Sequence, residues 1–236
     1  MKFEGTEVWG FEHALRAMRN PYDSWHKSDS DCLFHMLPNF AEDDPDASNY
    51  EQWNAMYGFN CKIGKNDLEL AQKLIKAGSE HRKFLRQIFV CVDITAPLYW
   101  WKEFDTYKVG TVSNSCSTMH RLTKYPITKW SFERDDYEGH AGIDEAWSSL
   151  IECLEDLRQA YNKTGYIGYW KELIRLLPES YLQKRTITMN YENILSMVKQ
   201  RRNHKLIEWS VAFILWAKSL PYADKLIFIG EENGEC

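Results

Sequence analysis

Between Ile88 and Ile94 the chain is apolar at every position but Asp93. Alternate residues of a strand point to opposite faces, so this run predicts a strand buried on both sides. Ala96-Pro97 ends it. Pro97, with φ already near the helical value, suits the first turn of a helix carrying Leu98, Trp100, Trp101 and Phe104. A second strand is predicted from Gln183 to Met189, where Arg185, Ile187 and Met189 share one face. Helical spacing dominates elsewhere. Leu68, Ala71, Leu74 and Ile75 follow a cap at Asn66 or Asp67 and stop at Gly78. Trp147, Leu150, Ile151, Leu154, Leu157 and Tyr161 mark a helix from Glu145 to Tyr161, and Trp170 to Leu177 another, ended by Pro178. Asn190 caps a helix with Tyr191, Ile194, Leu195 and Val198 on one face. His204 to Leu220 is apolar nearly all round, which predicts a buried last helix stopped by Pro221. The class is α+β: a helix-rich single domain with a small, mostly antiparallel sheet whose strands lie far apart in sequence.

A chain of 236 residues buries enough surface to hold without disulfide staples. Ten Trp and 14% aromatics exclude a disordered protein. The longest apolar stretch, Val211 to Ala217, is far too short for a membrane span. No apolar region follows Met1-Lys2-Phe3-Glu4, so no secretory signal is expected. A net charge of −5 argues against broad nucleic-acid binding. The cysteines at 32, 61, 91, 116, 153 and 236 contain no closely spaced pair. That excludes a zinc knuckle and points to a reducing cytoplasm, with Cys91 and Cys153 as core residues. Asn20 to Gly64 is the loosest stretch. Its acidic run Glu42-Asp43-Asp44-Pro45-Asp46 is expected as a solvated loop, and its aromatics are expected to pack against the rest.

Three clusters carry polar chemistry. From Lys108 to Arg121 the chain is a run of glycine, hydroxyls and amides leading to His120-Arg121. Such a run suits either an anion or nucleotide cradle or a surface loop. Arg175, just before Leu177-Pro178, could fork onto a phosphate or cap its own helix, and Arg185 lies beyond it. The helix after Asn190 ends in Lys199, Arg201 and Arg202, followed by His204 and, four residues on, Glu208. His204 and Glu208 share a helical face, yet no third ligand is near, so no metal site is expected.

In order and spacing these segments resemble the flavin-dependent thymidylate synthases, also called thymidylate synthase complementing proteins. The likeness rests on Arg175 before Leu177-Pro178, the strand ending at Asn190, the helix to Arg201, and His204 with Glu208. Upstream it includes Leu68 to Gly78, His81, the strand Ile88 to Thr95 and Ala96-Pro97. It implies a core at 66–225, an N-terminal extension at 1–65 packed on it and a tail at 226–236. The family's Arg-His-Arg is replaced by Thr106-Tyr107-Lys108, and its Asn-Glu-x-Ser-x-Arg by Asn114-Ser115-Cys116-Ser117-Thr118-Met119. His120 and Arg121 follow at once. Such degenerate motifs resemble phage-type members.

The resemblance implies reductive methylation of dUMP to dTMP with reduced FAD, methylenetetrahydrofolate and NADPH, in a cytoplasmic homotetramer that binds no membrane and no nucleic acid. Arg201 would act on the pyrimidine. Asn114, Ser115, Ser117, His120, Arg121 and Arg175 would bind the nucleotide, and His81, Lys108, Asn190 and His204 the flavin. Two alternatives stay open: a degenerate nucleotide-binding sensor, sequestering or regulatory homologue, and an enzyme that modifies a different pyrimidine.

Overall fold

The computed structural model describes residues 1–32, 61–134 and 141–230. The acidic run at 42–46, Cys236 and the tail from 231 lie outside the described residues. Strands β1 (Lys2–Trp9), β2 (Phe89–Pro97), β3 (Val112–Ser115) and β4 (Leu182–Asn190) form one antiparallel sheet in the order β1-β2-β4-β3. The helices are α1 (Phe11–Arg19), α2 (Lys65–Ala77), α3 (Leu98–Phe104), α4 (Thr118–Arg121), α5 (Ala141–Thr164), α6 (Ile167–Leu176) and α7 (Tyr191–Arg201). A π-helical stretch, Glu208–Phe213, runs into α8 (Ile214–Lys218), and α9 (Ala223–Leu226) follows. No described helix is long and apolar enough to cross a membrane.

The chain divides into two compact units. One comprises Met1–Glu4, Asp93–Lys108 and Ser113–Ile187. The other comprises the described part of Gly5–Val92, Val109–Val112 and the chain from Thr188 on.

In the first unit Leu122, Ile127, Phe132, Leu154, Leu173 and Tyr181 form a buried cluster joined by the inner face of α5 and α6. Trp100 and Trp101 are both buried; Trp100 stacks on Phe104 and Trp101 meets the same ring edge-on. The Trp101 indole N–H donates to the carbonyls of Ala96 and Gln183. Arg185 lies 4.2 Å from the Trp101 ring and pairs with Asp105 at 2.7 Å, so this arginine is part of the packing. Glu155 pairs with Arg158 at 2.5 Å and accepts the Ile127 N–H at 2.8 Å.

In the second unit α1 buries Phe11, Ala14, Leu15 and Met18, and α7 buries Tyr191, Ile194, Leu195 and Val198. Tyr191 donates to the Pro221 carbonyl at 2.6 Å, and burial pushes its hydroxyl pKa up. The fully buried Asp67 accepts from Arg19 Nε at 2.5 Å and from the Ser28 and Ser30 hydroxyls. Neither Asn66 nor Asp67 caps α2. The Asp29 carboxylate does, receiving the Asn66 and Asp67 amides at 2.9 and 3.1 Å.

Several sequence expectations are corrected. β2 is not buried on both sides. Val90, Val92, Ile94 and Ala96 are buried, while Cys91, Asp93 and Thr95 are half-buried and Phe89 is exposed. One face therefore carries the apolar packing. The other carries polar pairs: Asp93 with Thr186 at 2.6 Å and with Lys184 at 3.0 Å. Those partners hold the Asp93 carboxyl below its ordinary pKa, the Thr186 hydrogen bond most. The last helix is likewise one-sided. Glu208, Trp209, Phe213, Trp216 and Ala217 are buried, but Ile207, Val211 and Leu215, one turn apart, are exposed at 53%, 50% and 61%. Cys153 is exposed and Cys91 half-buried, so neither is a core residue. Cys32 and Cys61 are bonded, next to the antiparallel bridge Asp31–Lys62. The run after Lys108, expected as a cradle or a surface loop, contains β3 and α4.

Two predictions follow from these buried pairs. Asp67→Ala leaves Arg19 charged and buried without its partner, so stability in urea should fall by about 3–5 kcal/mol. A loss below about 1 kcal/mol would show the pair to be solvent-screened. Arg158 holds the Glu155 carboxyl down from 4.5 to about 2. A depressed carboxyl stabilises fully at neutral pH and loses that contribution as pH falls from about 4.5 towards about 2. Glu155→Gln should flatten that window of the melting-temperature profile.

Candidate functional site

In the second unit the site residues gather around the two ends of α7. At its start the Asn190 side-chain oxygen accepts the Asn193 N–H at 3.0 Å, and Asn193 Oδ1 accepts the Asn190 N–H at 3.2 Å. This reciprocal cap satisfies two backbone donors and fixes where β4 becomes helix. Asn193 Nδ2 also donates to the Val109 carbonyl at 2.7 Å. That bond draws the next residue, Gly110, against the cap. Its φ is +80°, and a Cβ there would lie 2.9 Å from Asn190 Nδ2.

At the other end Arg201 closes α7, with its guanidinium 5.0 Å from the centre of the buried Trp209 ring. The His204 N–H donates to the Arg201 carbonyl at 3.0 Å. The Leu206 N–H donates to His204 Nδ1 at 3.2 Å, so the neutral ring carries its proton on Nε2. His81 is exposed in the turn after α2, its N–H donating to the Gly78 carbonyl. The neighbouring residue was missed by sequence reasoning: Arg82 grips Glu192 in the first turn of α7 through two bonds, at 2.8 and 3.0 Å. Its signal was an arginine beside His81 and an acid at a helix start.

In the first unit Asn114 and Ser115 lie exposed on β3. β3 is pinned by the Cys116 N–H on the Lys184 carbonyl at 2.9 Å and by Gln183 Nε2 on the Cys116 carbonyl at 3.1 Å. Ser117 Oγ accepts the His120 N–H at 3.4 Å and so begins α4, which ends at Arg121. Asn114, Ser115, Ser117, His120 and Arg121 thus share one β3–α4 corner of hydroxyls, an amide and a cation, chemistry suited to a phosphate. Arg175 is not joined to it: it is exposed and bonds Glu172 on its own helix at 2.5 Å. Lys108 is exposed, with no partner among the described residues. An open groove of about 430 Å³ along α5 and α6 is lined by Glu152, Cys153, Asp156 and Tyr169 among others, and holds none of these residues. No group of three or more His, Cys, Asp or Glu among the described residues could hold a metal.

No protein-family model and no curated protein matches the chain. Solved structures do. The flavin-dependent thymidylate synthase ThyX from Helicobacter pylori, complexed with FAD and dUMP, superposes with a TM-score of 0.65 at 15% identity, over 96% of this chain and 98% of that one. A second Helicobacter pylori structure, Thymidylate Synthase X with FAD and dUMP, gives 0.65 at 16%, over 96% and 97%. The fold is ThyX-like. The likeness reaches beyond 66–225, and β1 and α1 supply a strand and a core helix from the N-terminal residues.

Gly110 sits where this ThyX-like backbone leaves little room for a side chain. Gly110→Ala forces a side chain into the left-handed region and against Asn190, so stability should fall by about 1–3 kcal/mol in thermal or urea melts. An unchanged melting temperature would show that the Val109–Gly110 turn moves freely away from the cap.

Proposed function

We propose that the protein binds a uracil nucleotide and FAD and methylates dUMP reductively to dTMP, with methylenetetrahydrofolate as carbon donor and NADPH as reductant. The observation that carries this reading is the likeness, over nearly the whole chain, to thymidylate synthases complexed with FAD and dUMP. The residues present fit a phosphate-bearing nucleotide: the β3–α4 corner offers an amide, two hydroxyls, His120 and Arg121. For FAD they offer one exposed cation, Lys108, with His81, Asn190 and His204 as further polar contacts.

Reduced FAD, when bound, supplies the hydride that completes the new methyl group. The chain's own work is electrostatic. Arg201, its planar head supported by the Trp209 ring, would polarise a pyrimidine carbonyl. Asn114, Ser115 and Ser117 would hold the phosphate end, with His120 and Arg121 offsetting its charge.

A second reading, a nucleotide binder without catalysis, is favoured by Arg175 being engaged with Glu172 and by the single lysine in place of the family's two arginines. An enzyme of the same fold acting on another pyrimidine is the remaining alternative. A homo-oligomer, with a tetramer preferred, is part of the proposal. The exposed stripe Ile207, Val211, Leu215 on one helical face supports it, being apolar surface of the kind a partner covers.

Conversion of dUMP to dTMP with all three co-reactants present tests the reading. Turnover is expected. Binding of dUMP without turnover would overturn it in favour of the binder. Arg201→Ala should weaken dUMP binding by about 1.5–3 kcal/mol, roughly ten- to a hundredfold, with little change in melting temperature. Unchanged affinity with a collapsed melting temperature would make Arg201 structural. Light scattering should give a mass above 27.9 kDa, and Leu215→Glu should lower it.

A further inference from the structure

From Thr106 to Phe132 the chain contains no Asp or Glu, although acids outnumber bases by 34 to 29 overall. The run carries Lys108, Arg121, Lys124 and Lys129. Within the first unit its later half is built as a rigid display. Leu122 and Ile127 are buried anchors, and between them Tyr125 stands 63% exposed. The Thr123 carbonyl accepts Asn162 Nδ2 at 2.8 Å and Arg158 Nη1 at 3.4 Å, and the Ile127 N–H is held by Glu155 at 2.8 Å. Glu155 is thereby spent on Arg158 and the backbone. The next turn is closed by the Ser131 N–H on the Thr128 carbonyl at 2.9 Å and by the Thr128 N–H on Ser131 Oγ at 3.2 Å, just before the buried Phe132. At its tip Trp130 is 79% exposed. Lys129 lies over that ring, 4.8 Å from its centre.

An indole this exposed on a turn this well fixed contributes nothing to the core of its unit. Aromatic faces interleaved with cations and free of acids match what a single nucleic-acid strand requires: stacking surfaces for bases and charges for phosphates. We propose that the loop surface Lys124–Trp130 docks a single strand of nucleic acid. The fixed loop loses little conformational entropy on binding. The overall charge of −5 is no obstacle, because Lys124 and Lys129 lie in a stretch without a single acid. The assignment stands without the flavoenzyme reading.

The test uses the full chain and a fluorescein-labelled twenty-residue oligothymidylate, followed by anisotropy in about 50 mM salt. Binding is expected, with affinity falling as salt rises at a logarithmic slope of about −1.4 for two cations on a single strand. Trp130→Ala should weaken it by roughly five- to a hundredfold. Lys124→Gln with Lys129→Gln should reduce the slope by about 1.4. Circular dichroism melts of both variants should match the parent, since all three side chains are exposed. No anisotropy change at high micromolar protein overturns the proposal, as does binding that both variants leave unaltered. Displacement of the strand by millimolar dUMP would also overturn it, placing the strand in the nucleotide site. So would a fall in oligomer mass in Trp130→Ala, which would show the surface covered by a second copy.

Discussion

The reciprocal cap between Asn190 and Asn193 is the contact on which the placement of the second unit's candidate residues depends. It ends β4, begins α7 and, through Asn193 on the Val109 carbonyl, holds Gly110 against the same amide group. Everything assigned a role at the far end of α7 inherits its position from that start. Arg201 lies three turns on, and its carbonyl receives His204. A cap is worth only about 1 kcal/mol, yet it fixes the register of the helix, and register decides which side Arg201 faces. Arg82 on Glu192 reinforces the same first turn with a largely buried, two-pronged ion pair.

Where periodicity was strong, the sequence was enough to locate the elements. The alternation at Ile187 and Met189, the cap at Asn190 and the spacing of Ile194, Leu195 and Val198 all appear where expected. Strands β1 and β3 were not legible. In β1, Gly5 and the two glutamates Glu4 and Glu7 obscure the alternation, and β3 is four exposed residues long. The two-sided burial inferred for Ile88–Ile94 failed because Phe89 and Cys91 look apolar in sequence whichever way they point. The last helix failed for the same reason, since composition cannot tell a buried Val211 from an exposed one. Long-range charge pairs such as Arg19–Asp67 leave no local signature: two residues 48 apart became one buried pair.

The assigned residues divide by how far their geometry has narrowed their options. The β3–α4 corner keeps its polar groups outward and a cation beside them, which is compatible with a phosphate. Arg175 is tied to a neighbour on its own helix and has the least to offer. Net charge, which argued against nucleic acid from the sequence alone, averages over surfaces that differ greatly; the acid-free run around Trp130 is invisible to it. The same averaging hides the flavin question, which rests on a single exposed lysine at position 108.

That lysine makes flavin binding the sharpest point of contact between the account and experiment. The decisive measurement is calorimetric titration of the full chain with FAD, with and without dUMP. The account predicts FAD binding that Lys108→Arg tightens, because a planar fork replaces a point charge on the diphosphate. The absence of heat at high micromolar FAD, with dUMP present as well as without it, would contradict the account and leave a nucleotide-binding protein on a ThyX-like fold.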